Sequence, residues 1–499
     1  MITRRFLISA LLASTAVPAL AEAPKTSLRP KARPLRGAAK VKAEHKQKSL
    51  KDIVAEAGLS GAVSIVVADA SGRVLEAHTP NKSLPPASVT KAVTALYALQ
   101  HLGGDFRCAT RVIATGPGVG GIVQGDLIVA GGGDPHLDTD GLANLARGVA
   151  KQGIKGIKGR LRVYGGALPY QRVIDAGQPD HVGYNPSLSG LNLNFNRVYF
   201  EWKRSGNGYA TTMDARSKRL RPAVRGIKMS VVNRQAPLFT YKGGGKAEQW
   251  TVMRGALGKG GGRWLPVRRI DEYVGEVFRS VAAQQGIKLP SAQTAKSLPS
   301  GTVVAQEVSG TLFKQVQAML KYSTNLTAEV TGLTATRKRG ASVRNLAGSG
   351  REMTSWVQGA YGAKGVKFVD HSGLGDASRV SADQMMKILA KSGWNGPLRP
   401  ALKEIKLVNS KGRAAPIEGV TVLAKTGTLN FASALAGYID TPNGQKLTFA
   451  IFTADMGKRA KIKKADRERP AGSATWRKRS KRMQQRLLRR WALEYGVGS

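Results

Sequence analysis

Pro85-Pro86-Ala87-Ser88-Val89-Thr90-Lys91, continuing as Ala92-Val93-Thr94-Ala95-Leu96-Tyr97-Ala98-Leu99, is the stretch whose reading decides the fold. Two prolines cannot sit inside a helix, but they can deliver the chain to its start. Beyond them Val89, Val93, Leu96 and Leu99 recur at three- and four-residue spacing, as in a buried amphipathic helix. Gly103-Gly104 is its stop. Ser88 is thereby set at a helix N-terminus, with Lys91 one turn on along the same face. A serine hydroxyl becomes a nucleophile when a base takes its proton, and a lysine serves if burial or nearby positive charge lowers its pKa. The ordinary alternative is an N-cap serine beside a solvated lysine.

Working outward, the 499 residues are enough for two to four domains. A hydrophobic share of 42% allows sizeable cores. Lys and Arg number 78 against 32 Asp and Glu, a formal charge of +46 that predicts attraction to polyanions rather than any fold. Met1 to Ala21 reads as a secretory signal: Arg4-Arg5, an apolar run from Phe6 to Val17, and a small-x-small cleavage site at Ala19-Leu20-Ala21. Export to the periplasm is expected, by the general or the twin-arginine route, with no nucleic-acid partner. Cys108 is the single cysteine, so no internal disulfide or multi-cysteine metal site is possible. The six histidines form no His-Glu-x-x-His, which sets a zinc peptidase aside, and neither a metal nor another cofactor is called for.

Residues 22–51 are rich in Pro, Ala, Lys and Arg and read as a disordered basic arm. Runs over Gly61 to Asp69 and Val74 to His78 read as a hairpin. Across residues 106–297 the strands are short and glycines frequent, which suggests one or two inserted β-rich domains. There Gly131-Gly132-Gly133-Asp134-Pro135 reads as a tight turn rather than a phosphate cradle, since no Gly-Lys-Ser/Thr follows. Helical segments return over Gly310 to Ala335, Thr354 to Ala360 and Ser381 to Lys391. Strands are expected at Gly419 to Ala424, Ala434 to Ile439 and Lys446 to Thr453, the last two joined by a Pro442-Asn443-Gly444 turn. Residues 457–499 form a basic C-terminal tail in which Trp476 to Leu493 is either a basic amphipathic helix or a solvated segment.

Three short motifs then stand in order: Ser88-x-x-Lys91, Ser323-x-Asn325 and Lys425-Thr426-Gly427. Ser205-Gly206-Asn207 and Lys391-Ser392-Gly393 are decoys, one in a glycine-rich turn and one at a helix end. Only the first three sit on the helix, helix-linked loop and edge-type strand that a serine-lysine acyl-transfer site requires.

With these residues in view the chain resembles the class C low-molecular-mass penicillin-binding proteins, D-alanyl-D-alanine carboxypeptidases/endopeptidases. The resemblance runs from about Gly61 to Met456. It rests on the three motifs, Gly-Asp-Leu at 125–127, Gly-Asp-Pro ending at Pro135, the long insert, Ala328-Glu329, and Asp370-x-Ser372-Gly373-Leu374. It implies an α/β (α+β) transpeptidase-like/β-lactamase-like domain, an antiparallel sheet flanked by helices, made of residues 52–105 plus 298–456 around the insert. The resemblance further implies that Ser88 is acylated, Lys91 is the base, and Ser323 relays the proton. Asn325 would hold the substrate amide, and Lys425 would supply positive field. Thr426 and Thr428 would bind the terminal carboxylate, with Gly427 between them, and the Ser88 and Thr428 N–H groups would form the oxyanion hole. Asp180 in the insert is a candidate for facing the stem-peptide amino group, against its reading as a surface turn residue. Peptidoglycan peptides are the implied substrate and β-lactams the implied covalent inhibitors. The basic tail suggests an anionic wall or membrane surface as a further partner. Two departures stand out: Thr324 where the family has Asp, expected to point away from substrate, and His371 where it has Gly, a possible source of altered pH response. A β-lactamase-like hydrolase and a non-catalytic basic cell-wall-binding protein remain the alternatives. The first lacks a Glu-x-x-Leu-Asn segment to activate a deacylating water, and the second sits poorly with intact motifs.

Overall fold

The structure, a computed structural model, describes residues 48–245 and 247–496. The expected signal peptide and most of the expected basic arm lie outside the described residues. The chain enters through helix α1 (Leu50–Glu56), fixed by a capping box in which Ser49 and Asp52 bond each other's backbone N–H. Leu50, the penultimate residue of the expected arm, is already buried.

The scaffold is one six-stranded antiparallel sheet. Its strands are β1 (Ala62–Asp69), β2 (Val74–His78), β3 (Lys403–Glu404), β4 (Thr421–Leu429), β5 (Ala432–Asp440) and β6 (Lys446–Ala454), in spatial order β3-β4-β5-β6-β1-β2. The β1–β2 hairpin expected around Ala70-Ser71-Gly72 is present. Because side chains alternate across a strand, each strand feeds two cores. Val66, Ala434 and Phe452 enter one, and Ile65, Leu435 and Ile451 enter the other. A sheet buried on both faces reads as a continuous apolar run, which is how β5 and β6 read.

On the first face lie α2 (Thr90–Leu102), α5 (Leu312–Tyr322), α6 (Asn325–Lys338), α7 (Leu346–Tyr361) and α8 (Ala382–Ser392). The second face is covered by α1 and by α9 (Ser473–Glu494). Of the two readings of the C-terminal stretch, the structure takes the helix. Met483, Leu487, Leu488, Trp491 and Ala492 are buried against β1, β5 and β6, with the Trp491 ring 6.0 Å from that of Phe449. Without that cover the second face of the sheet would lie in water.

The insert has its own cores. Helices α3 (Thr139–Lys151) and α4 (Ile270–Ala283) pack on a five-stranded mixed sheet. Its strand order is 293–294, 161–164, 127–130, 109–114, 302–308, so the last strand comes from beyond residue 297. Among the described residues three three-stranded sheets complete it: one from residues 197–205, 208–214 and 260–266, one from 227–232, 239–242 and 248–253, and a small one from 118–119, 122–123 and 156–157. Helix α3 was not foreseen from the sequence. Gly131-Gly132-Gly133 is a turn: added Cβ atoms at 131 and 132 would meet the Gly190 and Ala109 carbonyl oxygens at 2.4 and 2.3 Å.

Candidate active site

The Pro-Pro-Ala-Ser stretch enters α2 through a single 3₁₀ turn, Ala87–Val89, with Ala87 at φ +47°. Val89, Val93 and Leu96 are buried and anchor the helix in the core. That registers Lys91, fully buried, directly behind Ser88. Lys91 Nζ lies 3.0 Å from Ser88 Oγ. The solvated-lysine alternative is thereby excluded.

Ser323 ends α5 in the left-handed region, at φ +60° and ψ +38°. A non-glycine residue held there carries strain, which recurs at functional sites. The kink turns the chain into α6, so that Ser323 and Asn325 face the same space as Ser88. Lys425, on β4, donates to Ser323 Oγ at 2.9 Å and to the Thr426 carbonyl at 2.7 Å. Asn325 Oδ1 accepts from Lys91 at 2.7 Å. Gly427 allows the approach of β4: a Cβ there would stand 2.6 Å from the Pro86 carbonyl oxygen and 3.1 Å from Ala87 Cβ. Thus residues as far apart in sequence as 88, 323 and 425 line or back one cavity of about 280 Å³, with Ser88, Ser323, Asn325 and Thr428 on its wall.

The sequence profile of the D-Ala-D-Ala carboxypeptidase 3 (S13) family matches residues 46–471. The chain belongs to that family. As an S13 member it is a serine peptidase, a hydrolase of the D-Ala-D-Ala carboxypeptidase class. A D-alanyl-D-alanine carboxypeptidase of Actinomadura sp. is 27% identical over 450 residues, covering 80% of this chain and 79% of that one. D-alanyl-D-alanine carboxypeptidase DacB of Haemophilus influenzae is 24% identical over 384 residues, 73% of this chain and 79% of that one. The crystal structure of Haemophilus influenzae penicillin binding protein 4 superposes with a TM-score of 0.69 at 20% identity, over 82% of this chain and 93% of that one. The chain therefore shares the fold of that protein, as the resemblance implied.

In this S13 site two lysine amines are fully buried. Burial is the main cause that lowers the Lys91 pKa, to about 8, against an upward pull from the Glu329 and Asp370 carboxylates. Burial also pushes Lys425 well down, aided by the like charge of Lys91 and Lys403. Lys91 has a third acceptor that the sequence reading left without a role, the Ser372 carbonyl at 2.7 Å. A protonated Lys91 fills all three bonds as donor. A neutral one gives its two protons to Asn325 Oδ1 and the Ser372 carbonyl and aims its lone pair at the Ser88 hydroxyl. The geometry thus suits proton abstraction from Ser88.

The S13 insert and C-terminal segment build the outer wall. Asn325 Nδ2 donates to the Tyr184 carbonyl at 2.9 Å, and Gln178 and Tyr184 line the cavity. Arg459, Ile462, Arg467 and Glu468 line it as well. Glu468 ties that segment to the insert through Arg263 at 2.8 Å and His181 at 2.6 Å. Nothing in the sequence marked these residues, because their contacts with the site are entirely long-range. Asp180 is not on the wall. Its carboxylate is half-exposed, 3.6 Å from Lys464 Nζ, and its carbonyl accepts from Arg268. Thr426 is likewise off the wall, while Thr428 is on it. Thr324 caps α6 outside the lining, its hydroxyl buried without a partner among the described residues. His371 is fully buried, its Nε2 on Ser349 Oγ at 2.7 Å, and burial pushes its pKa down to about 3. It stays neutral at working pH, so a pH response from its titration is not expected.

Proposed function

We propose that the protein is an exported D-Ala-D-Ala carboxypeptidase/endopeptidase that cleaves peptidoglycan stem peptides through an acyl-enzyme on Ser88 and is inhibited by β-lactams. The observation that carries the reading is that two hydrogen-bonded groups, Ser88–Lys91–Asn325 and Ser323–Lys425, with distances of 2.7 to 3.0 Å, meet at one cavity. Neutral Lys91 takes the Ser88 proton as the hydroxyl attacks the carbonyl between two D-residues. The Ser88 and Thr428 backbone N–H groups receive the oxyanion, each donor worth ~3 kcal/mol. The tetrahedral intermediate collapses, the C–N bond breaks, and Ser323 gives its proton to the leaving amine while taking up the one Lys91 carries, which leaves Lys91 neutral. The substrate's terminal carboxylate, held by Thr428 on the wall, supplies counter-charge to Lys425 buried behind it. The free N–H of Asn325 meets the acyl-side amide, and residues 425–429 of β4, beyond its short pairing with β3 at 423–424, offer an edge for the extended substrate backbone. Water then releases the acyl group and restores Ser88. Release of a single D-Ala is the carboxypeptidase outcome, and cutting a cross-link by the same steps is the endopeptidase outcome. A Haemophilus influenzae penicillin binding protein 4 structure is complexed with a β-lactam, which supports the inhibitor class.

The signal at residues 1–21 supports delivery to the periplasm, where the substrate lies. The solvent face of α9 carries Lys478, Lys481 and Arg482, and we assign it to retention on anionic wall or lipid surface. Removing the whole segment would uncover the sheet, so the test is Lys478→Gln with Lys481→Gln and Arg482→Gln in the intact protein. Unchanged pull-down on isolated wall and on anionic vesicles would rule retention out.

The central test combines fluorescent-penicillin labelling with mass spectrometry of products from cell-wall fragments. The expected result is a long-lived adduct on Ser88, loss of D-alanine from the fragments, and neither with Ser88→Ala. Rapid turnover of the penicillin without D-alanine release would favour a β-lactamase instead.

A further inference from the structure

Behind Lys91 lie two buried carboxylates that the reaction as described does not use. Glu329 sits four residues after Asn325 on α6, hence on the same helix face. It is fully buried. Its two oxygens accept the backbone N–H groups of Ser372 and His371, both at 2.9 Å. Asp370, also buried, accepts from Gly373 at 2.7 Å and Gly375 at 2.6 Å. Four N–H groups of one loop, those of residues 371, 372, 373 and 375, are therefore pinned by two carboxylates, an arrangement that sets a backbone with little play. The loop they fix meets the nucleophile's turn at Gly373, φ +73°, where a Cβ would lie 1.8 Å from the Ala87 carbonyl oxygen.

We propose that Glu329, working with Asp370, is a positioning residue for acylation: it holds the 370–375 loop so that the Ser372 carbonyl and the Asn325 amide take both protons of neutral Lys91 and leave its lone pair on the Ser88 hydroxyl. The same helix face thereby sets two of the three partners of Lys91, one directly through Asn325 and one through the loop. The inference rests on the Ser88–Lys91 reading above.

Glu329 also bears on Lys91 through its charge. The titratable groups facing Lys91 are Glu329 from α6, Asp370 from the loop and Lys425 from β4, while His371 beside them is neutral. The two carboxylates raise the Lys91 pKa against burial, and burial and Asp370 in turn push Glu329 up to about 8, so its charge bears on Lys91 over the same pH range in which Lys91 titrates. Removing the Glu329 charge therefore makes Lys91 easier to deprotonate and moves the acid limb of acylation to lower pH. A positioning role lowers the plateau rate at the same time.

The experiment measures the second-order acylation rate by a fluorescent penicillin from pH 5 to 10, with KM for a D-Ala-D-Ala peptide, in wild type, Glu329→Gln, Glu329→Asp and Asp370→Asn. Gln at 329 turns one acceptor into a donor facing a backbone N–H. Glu329→Gln is expected to lose about tenfold or more of the plateau rate, within the range of a misplaced general base, with KM within about twofold. Its acid limb should fall by about half a pH unit or more. Glu329→Asp keeps the charge and should keep the limb near wild type while recovering part of the rate. An unchanged rate and limb in Glu329→Gln would overturn the proposal, and so would a lower rate with an unmoved limb, which is the mark of a purely structural role. Should Glu329→Gln not fold, Asp370→Asn decides by the same two readouts, and an unmoved limb there overturns it. In each of these outcomes Ser88 remains the labelled residue; its absence from the adduct would instead strike the function itself.

Discussion

Replacing Gly332 by alanine probes how the loop facing Lys91 is supported. A methyl group at 332 would lie 2.1 Å from His371 Cγ, 2.3 Å from Nδ1 and 2.5 Å from Cδ2. The ring cannot yield freely. It is fully buried, bonded to Ser349 Oγ, and stacked at 6.1 Å on Tyr97. On an exposed helix, glycine to alanine gains ~1 kcal/mol. Here overpacking of about 1–3 kcal/mol and the loss of a buried hydrogen bond, about 1 kcal/mol, outweigh that gain. Gly332→Ala should thus cost about 2 kcal/mol. His371→Gly removes the obstacle but leaves a void and should cost about 3 kcal/mol. In the double variant the methyl occupies part of that void, so the loss should stay at about 2–3 kcal/mol rather than the additive ~5, a coupling of about 2–3 kcal/mol. Urea unfolding followed by tryptophan fluorescence reads this directly, since Trp356 packs on Tyr97 at 5.1 Å. Penicillin acylation should fall in Gly332→Ala and recover in the double variant, because the loop also carries the Ser372 carbonyl. Additivity within about 0.5 kcal/mol would refute the reasoning.

In its proposed role as base Lys91 must be neutral, and burial brings its pKa from 10.5 to about 8. Acylation should therefore be full above pH 8 and fall about tenfold per pH unit below it, whereas a limb near pH 10 would show an ordinary solvated lysine. Gly427→Ala sets a methyl 2.6 Å from a backbone carbonyl and must push β4 off the Ser88 turn, so acylation should drop by about 10²-fold in a protein that still folds. A rate within threefold of wild type would contradict the fit, by roughly the scale that misplacement costs. Trp491→Ala should cost about 3–5 kcal/mol, as expected for a core aromatic. A loss below about 0.5 kcal/mol, the size of an ordinary surface change, would return the C-terminal stretch to a solvated tail.

Much of the site was legible because its chemistry demands particular residue types at fixed local spacing. Ser88 and Lys91 are one helical turn apart, and that relation survives any tertiary arrangement. The hydrophobic spacing after Ser88 set the helix, and the Lys-Thr-Gly on an apolar run set the strand. The C-terminal helix was only half legible. Trp476, Met483, Leu487 and Trp491 follow helical spacing, yet arginines and lysines between them give equal weight to a solvated segment. Which of the two holds depends on whether the sheet presents a bare apolar face, a fact about β1, β5 and β6 rather than about residues 473–494.

The sequence by itself brought out Ser88, the two lysines, Asn325 and the sheet-and-helix class, since each rests on contacts within a few residues or on side-chain chemistry. Only tertiary structure decided that Asp180 stands off the cavity while Tyr184 and the 459–468 segment wall it. It alone also decided that His371 is a silent core residue over Gly332, and that Ser372 serves Lys91 through its carbonyl. Backbone carbonyls are the same in every residue, and burial is a property of what surrounds a side chain. Neither leaves a local mark in the order of the amino acids.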